Sequence, residues 1–141
     1  FLKSRPKHFP PVVLTPHMGE WKRIGGADFD DSGSSALTTY CSEHRCIVAL
    51  KGARTKIADD SRIYLSPFGG PVLARGGTGD LLAGMIGSMV AQDPANPISQ
   101  TILATIWHGR AADCMARSRG DWAVRTTEMV NYLPEALGFK V

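Results

Sequence analysis

The apolar and polar positions in the first half of the chain predict short strands. Residues 12–14 (VVL) form an apolar run that stops at a Thr-Pro pair, as a buried strand ended by proline does. Residues 46–52 (CIVALKG) are the clearest strand, because the run is apolar, contains β-branched residues and ends at Lys-Gly. Two shorter runs, 55–59 and 61–65, are one residue apart and predict a hairpin.

Helical spacing accounts for the stretches between these strands. His17–Ile24 predicts a short helix that Gly25-Gly26 closes. Ser32–His44 predicts a second helix, and its apolar stripe consists of Ala36, Leu37, Tyr40 and Cys41.

The second half of the chain is predicted to be helical. A helix begins near Thr78 and stops at Asp93, and its apolar face consists of Leu81, Leu82, Met85, Ile86, Met89 and Val90. A longer helix follows Pro97 and is expected to bury Ile98, Ile102, Leu103, Ile106, Trp107, Cys114 and Met115. Thr126 or Thr127 is expected to cap a last helix that accommodates Pro134. Early strands and late helices favour an α/β fold.

Length and composition narrow the class of protein. The chain has 141 residues, which fits a single domain over 1–141 with one core. Hydrophobic residues make up 43% and charged residues 21%, as in globular proteins. No apolar run approaches the ~20 residues that a membrane span needs, so we expect no membrane partner. The start (FLKSRPKHFPPVVL) lacks the continuous apolar core of a signal peptide.

The charge and the cysteine content indicate no further class of partner or site. The net charge of +3 is too small to indicate a nucleic-acid partner, and the basic cluster at residues 3–7 is interpreted as a solvated terminus. Cys41, Cys46 and Cys114 form no CxxC pair and are odd in number, so neither a disulfide framework nor a metal site is expected. A cytoplasmic location fits best.

The stretch Arg75-Gly76-Gly77-Thr78-Gly79-Asp80, directly before an apolar helix, is the strongest candidate for chemistry. A helix start offers unpaired amides and the positive end of its dipole, and glycines let those amides surround an anion. Asp80 would repel a phosphate unless it acts as the base for a hydroxyl that attacks phosphorus. It could equally complement the helix dipole. The pattern alone leaves both interpretations open.

Two common phosphate motifs do not match this stretch. No Lys-Ser/Thr follows the glycines, as a Walker A loop requires. Leu82 stands where the third glycine of the dinucleotide fingerprint belongs.

Three segments together resemble a known family. The segments LTPHMGEWKRI, VALKGARTKIAD and GGTGDLLAGMI are similar, in this order and spacing, to the C-terminal half of the ADP/ATP-dependent NAD(P)H-hydrate dehydratases. These enzymes belong to the ribokinase-like superfamily, whose members are often labelled carbohydrate kinases. GTGD alone indicates only the superfamily, whereas the resemblance runs from Val12 to Leu137. It implies a truncated ribokinase-like three-layer α/β/α sandwich.

The resemblance also implies a reaction and its participants. ADP or ATP would phosphorylate the C6 hydroxyl of hydrated NADH or NADPH, with Mg²⁺ as the expected metal. Phosphate, a better leaving group than hydroxide, would then depart and restore the reduced dinucleotide. Asp80 would contact this hydroxyl as the catalytic base, and backbone amides of Gly76, Gly77, Thr78 and Gly79 would surround the transferred phosphoryl group.

Two further segments receive roles from the resemblance. His17 would contact the hydrated dinucleotide, although the residues alone favour an ordinary helix-start histidine whose cap Glu20 closes. The nucleotide-binding segment would be Lys51, Gly52, Ala53, Arg54 and Thr55. Without the family, Lys51 would be a solvated lysine at a strand end.

The chain departs from the family in three respects. It has about half the expected length, Met18 replaces the usual proline, and an Asn-x-x-Glu element that helps to hold Mg²⁺ in some relatives is not visible. A truncated or processed fragment, the product of a divided gene and part of a longer protein are the competing explanations. Because truncation exposes a strand edge, we expect homo-oligomers or pairing with the missing N-terminal half, and weak activity alone.

Alternative functions stay open at this stage. A small-molecule kinase acting on a sugar, hydroxymethylpyrimidine or thiazole alcohol is the rival within the superfamily, and a non-catalytic nucleotide-binding module is the rival outside catalysis. ADP is favoured over ATP, because TPHxGE resembles bacterial and archaeal members. His108 and Asp113 are interpreted as a partly buried helix face, and the three tryptophans as core or rim.

Overall fold

The computed structural model describes residues 2, 4–6, 9, 11–26, 34–122 and 124–138. They form two compact units, Phe1–Leu65 and Ser66–Val141. The prediction of one domain over 1–141 therefore stays a prediction, and the two units are described in turn. Within the described ranges, no helix is long and apolar enough to cross a membrane.

The first unit is a four-stranded mixed sheet with two helices. Its elements are β1 (Val12–Leu14), α1 (Met18–Arg23), α2 (Ser34–His44), β2 (Cys46–Leu50), β3 (Lys56–Ala58) and β4 (Ile63–Leu65). The strand order is β1-β2-β3-β4, with β1 parallel to β2 and the other neighbours antiparallel. The predicted strands and the hairpin are confirmed. Ser32 and Gly33, the predicted start of α2, lie outside the described residues.

The core of the first unit lies between α2 and the sheet. All five residues of β2 are buried, as its continuous apolar run predicts. Leu37, Tyr40 and Cys41 of the predicted α2 stripe are buried, while Ala36 is half-buried. Trp21 is fully buried, and its ring meets Tyr40 edge to face at 4.7 Å. Trp21, α2 and alternate residues of β2 thus belong to one hydrophobic core.

The second unit is helical. It contains a 3₁₀ turn (Pro71–Leu73), α3 (Thr78–Gln92), α4 (Pro97–Arg119), a 3₁₀ segment (Thr126–Tyr132) and α5 (Leu133–Ala136). The predicted face of α3 buries Leu82, Met85 and Ile86. The predicted long helix after Pro97 is confirmed.

The buried face of α4 corrects the prediction. Of the predicted face only Cys114 and Met115 are buried, Leu103 is 50% exposed, and Ile98, Ile102, Ile106 and Trp107 are half-buried. Most of the buried positions carry small or polar residues: Thr101, Ala104, Thr105, His108, Gly109, Ala111 and Ala112. The reason is close backbone approach. A Cβ at Gly109, for example, would lie 2.8 Å from the Phe68 backbone.

The last helix also differs from its prediction. Arg125, and not Thr126 or Thr127, occupies the N-cap of the segment, and its amide donates to Glu128 Oε2 at 3.2 Å. The Thr126 hydroxyl is engaged elsewhere, at the Gly76 carbonyl. Pro134 is accommodated because it lies in the first turn of α5, where a missing N–H costs nothing.

Candidate active site

The glycine corner, residues 75–80, joins the 3₁₀ turn to α3. Gly77 is the N-cap of α3 and has φ 87°, a left-handed conformation that glycine adopts without the strain of a Cβ. Its carbonyl accepts the first helical hydrogen bond, from the Leu81 amide at 3.1 Å. The corner therefore places a full helix start, with its positive dipole end, beside glycine backbone.

Several amides of the corner are left without partners. Over the part of the chain that the structure describes, the amides of Gly76, Gly77, Gly79 and Asp80 donate to no protein acceptor, and the Thr78 amide reaches the Arg75 carbonyl only at 3.5 Å. Free amides that converge at a helix start form an anion-binding site. The corner thus has the donors that a phosphoryl group requires.

Side chains of the same unit hold the corner in place. The buried Thr78 hydroxyl lies 2.8 Å from the carbonyls of Leu73 and Arg75, so it is used internally. The Arg75 guanidinium donates to the carbonyls of Asp121 and Trp122, each at 2.7 Å. Only the backbone of Thr78 therefore remains for a ligand.

Two residues from other elements also reach the corner. Thr126 Oγ1 donates to the Gly76 carbonyl at 2.9 Å, and His108 Nε2 lies 3.0 Å from the Thr78 carbonyl. His108 is buried, and this burial lowers its pKa to about 4, although the bond to Thr78 opposes the shift. The neutral ring must carry its proton on Nε2, because a carbonyl only accepts. Sequence analysis missed this contact, since His108 and Thr78 are 30 residues apart.

Asp80 stands in the first turn of α3 with an exposed side chain. Among the described residues, no hydrogen bond or ion pair engages its carboxylate. Asp113, by contrast, accepts the Gly69 amide at 3.1 Å, so that carboxylate has a structural use. The Asp80 carboxylate is therefore available to a ligand.

The first unit brings His17 and Glu20 together at the start of α1. His17 Nδ1 accepts the amides of Gly19 and Glu20 at 3.0 and 3.2 Å, and Glu20 Oε2 accepts the His17 amide at 2.7 Å. This capping box is the ordinary helix-start role that the residues alone favour. Nδ1 is occupied and Nε2 lies 3.6 Å from Glu20 Oε1, so a ligand would meet Nε2 beside that carboxylate.

Lys51 joins this pair directly after β2. It forms an isolated parallel bridge with His17, and its ammonium lies 3.7 Å from Glu20 Oε2. The pKa of Glu20 is held below its ordinary value, first because the His17 amide donates to the carboxylate and also because Lys51 lies near. Lys51 thus has a carboxylate partner in Glu20. The sequence indicated Glu20 only as a cap, so its contact with Lys51 was missed.

The rest of the predicted nucleotide segment forms the loop between β2 and β3. Gly52, Ala53 and Arg54 are exposed and Thr55 is half-buried. A Cβ at Gly52 would meet nothing within 4 Å, so the space above this backbone is open. A role of these residues in nucleotide binding stays a prediction.

Solved structures share the fold of this chain. An ADP/ATP-dependent NAD(P)H-hydrate dehydratase from Bacillus subtilis, co-crystallised with ATP and Mg²⁺, is 30% identical with a TM-score of 0.82. The match covers 95% of this chain and 50% of that one. A ribokinase-like superfamily protein from Enterococcus faecalis is 28% identical with a TM-score of 0.79, over 93% of this chain and 45% of that one. The chain therefore has part of a ribokinase-like α/β fold, as predicted.

Curated relatives agree with the structures. An ADP-dependent (S)-NAD(P)H-hydrate dehydratase from Lactiplantibacillus plantarum is 33% identical over 83% of this chain and 42% of its own length. A bifunctional NAD(P)H-hydrate repair enzyme from Moorella thermoacetica is 37% identical over 90% of this chain and 24% of its own length. The chain thus spans less than half of these relatives. Residues 2–135 match the carbohydrate-kinase family described as NAD(P)H-hydrate dehydratase. The chain belongs to the NAD(P)H-hydrate dehydratase family.

Proposed function

We propose that this chain is part of an enzyme that repairs hydrated NADH or NADPH by nucleotide-dependent dehydration. The observation that carries the proposal is that the amides of Gly76, Gly77 and Gly79 and the carboxylate of Asp80 lie in one corner and have no protein partner among the described residues. A phosphoryl acceptor site and a base beside it are what transfer of phosphate to an alcohol needs. The family supplies the substrate class.

The chemistry follows from these groups. Asp80 takes the proton of the C6 hydroxyl, and the freed oxygen attacks the terminal phosphorus of the nucleotide. The bond between that phosphorus and its bridging oxygen breaks, while the corner amides hold the charge on the transferred group. Loss of phosphate from C6 and of a proton from the neighbouring carbon then restores the double bond. The products are the reduced dinucleotide, free phosphate and the shortened nucleotide.

The other proposed ligand-binding residues belong to the first unit. Lys51 would contact nucleotide phosphate as a point charge, with Gly52, Ala53, Arg54 and Thr55 following it in the loop. His17 would contact the hydrated dinucleotide through the Nε2 side of its ring. ADP is the proposed phosphoryl donor because several relatives are named ADP-dependent, while ATP is present in the solved Bacillus subtilis complex.

Mg²⁺ would accompany the nucleotide. The described residues contain no cluster of three or more His, Cys, Asp or Glu side chains that could hold a metal. The Asp80 carboxylate is the proposed base, so it is not assigned to the metal. Mg²⁺ would instead be carried by the nucleotide phosphates, whose charge it would neutralise.

Replacing the carboxylate tests the proposal. Asp80→Asn should lower the repair rate by about 10²–10⁴-fold, as loss of a general base does, while ADP affinity in a calorimetric titration with Mg²⁺ is retained. The repair rate is followed by the absorbance of NADH formed from hydrated NADH. Asp60→Asn is the matched control, because Asp60 is also exposed but lies in the turn between β3 and β4.

The products separate the possible functions. Free phosphate together with NADH supports the dehydratase. A stable phosphate ester would instead indicate a small-molecule kinase, and nucleotide binding without turnover in the full enzyme would indicate a binding module. Equal rates for Asp80→Asn and Asp60→Asn would remove the catalytic role of Asp80.

A further inference from the structure

Three of the four corner amides that lack a partner among the described residues belong to peptide groups whose carbonyls are held by side chains. The Arg75 carbonyl accepts the Thr78 hydroxyl at 2.8 Å. The Gly76 carbonyl accepts the Thr126 hydroxyl at 2.9 Å, and the Thr78 carbonyl accepts His108 Nε2 at 3.0 Å. The amides that share these three peptide groups are those of Gly76, Gly77 and Gly79.

Peptide geometry makes this correspondence meaningful. A peptide group is planar, and in the trans form its carbonyl and its amide hydrogen point in opposite directions. No cis peptide bond occurs in the described ranges. Holding a carbonyl on the protein side of the corner therefore turns the following amide toward the other side. The contacts to the Arg75 and Gly76 carbonyls thus orient the Gly76 and Gly77 amides, and the His108 contact reinforces the direction that α3 already gives to the Gly79 amide.

Such orientation matters most where the backbone is glycine. Glycine populates several backbone conformations, so Gly76 and Gly77, which lie ahead of α3, would have to be ordered by the ligand without this support. Donors that are already oriented bind charge without this cost, and they stabilise charge that develops during transfer. A hydrogen bond on the far side of each peptide group supplies that order before the ligand arrives.

We infer that Thr126 and His108 are positioning residues for phosphoryl transfer, because they orient the Gly77 and Gly79 amides through the carbonyls of Gly76 and Thr78. This inference rests on the proposed function. Neither side chain has to touch the ligand. Thr126 belongs to the 3₁₀ segment after α4 and His108 to α4 itself, so two further elements fix the geometry of the corner.

Thr126→Val tests the first contact, because valine keeps the shape of threonine and removes the hydroxyl. We expect affinity for ADP and kcat each to fall about 10-fold, while affinity for AMP, which lacks the transferred phosphoryl group, is unchanged. Thr126→Ser should restore both values. Thr127→Val is the matched control, because the neighbouring Thr127 is exposed and its hydroxyl makes no hydrogen bond to the described residues.

His108 is tested against another donor on the same helix. Trp107 Nε1 donates to the Leu133 carbonyl at 2.8 Å, away from the corner. We expect His108→Leu to lower kcat about 10-fold and His108→Gln, which keeps an N–H donor, to recover most of it. Trp107→Phe should leave kcat unchanged, although it also removes a bond to a backbone carbonyl. All rates are compared well below the lowest melting temperature of the set.

The outcomes separate this inference from the proposed function. If the unsubstituted enzyme binds neither ADP nor ATP, the proposed function fails and the positioning role fails with it. Two results would overturn only the positioning role of Thr126 in an enzyme that binds ADP. In the first, Thr126→Val lowers the affinities for ADP and AMP equally. In the second, Thr126→Val and the control Thr127→Val have the same ADP affinity and kcat. If His108→Gln is as slow as His108→Leu, the positioning role of His108 is overturned.

Discussion

At the scale of single residues, the site depends on which polar groups the protein has already used. Thr78 and Asp80 are two residues apart, yet the Thr78 hydroxyl is buried beside two backbone carbonyls, while the Asp80 carboxylate is exposed and has no partner in the part of the chain that the structure describes. The sequence could point to both residues, because GTGD is a recognisable pattern. It could not show that the Thr78 hydroxyl is used in internal hydrogen bonds, because the carbonyls that accept them belong to the preceding turn.

His108 gives a residue-scale prediction about acid stability. Burial lowers its pKa to about 4 from the ordinary value of 6.5, so between these values the unfolded chain binds a proton that the folded chain does not. The free energy of unfolding should therefore be highest above pH 6.5 and fall as the pH drops toward 4, with His108 contributing about 3 kcal/mol of that loss. Urea unfolding at several pH values measures it.

His108→Gln provides the comparison for this pH dependence. The His108→Gln variant has the same Asp and Glu residues as the unsubstituted chain. Protonation of these carboxylates therefore lowers the free energy of unfolding equally in both proteins. The variant lacks the His108 titration and should show a shallower loss between pH 6.5 and 4. Identical slopes would mean that His108 titrates normally in the folded chain.

At the scale of elements, α4 shows that a buried face need not carry the largest apolar residues. Ala104 is fully buried, whereas the neighbouring Leu103 is 50% exposed. Ala104→Leu should therefore lower the free energy of unfolding by about 1–3 kcal/mol through overpacking. Leu103→Gln should change it by less than about 0.5 kcal/mol, as surface substitutions do. Urea denaturation measures both changes in the free energy of unfolding. A larger loss for Leu103→Gln than for Ala104→Leu would support the buried face predicted from the sequence.

The same comparison explains which elements the sequence could predict. The five-residue strand β2 and the hairpin β3–β4 were recoverable, because their apolar runs and breaks are local. The stripe of α2 was recoverable for the same reason. The face of α4 and the cap at Arg125 were not, because they depend on contacts such as Gly109 with Phe68 and Thr126 with Gly76. A prediction that looks for large apolar side chains misses the small residues that are buried where two backbones lie close together.

At the scale of the whole molecule, the first unit carries a strand edge without a partner. In the described part of the chain β1 pairs only with β2 and lies at one end of the strand order. Its three residues are half-buried, so the strand is apolar but poorly covered. The relative from Lactiplantibacillus plantarum is more than twice as long as the matched segment, since the chain covers 42% of it. An additional strand beside β1 would satisfy its outer backbone groups.

Self-association of the isolated chain should therefore accompany weak activity or none. We expect the isolated chain to sediment as a dimer or larger species, because the open edge of β1 pairs with another copy, and to repair hydrated NADH weakly or not at all. Supplying the part of the Lactiplantibacillus plantarum relative that this chain does not match should replace these species with one discrete complex and raise the repair rate, because strands in that part would compete for the same edge. A monodisperse monomer that turns over hydrated NADH by itself would contradict both parts of this expectation.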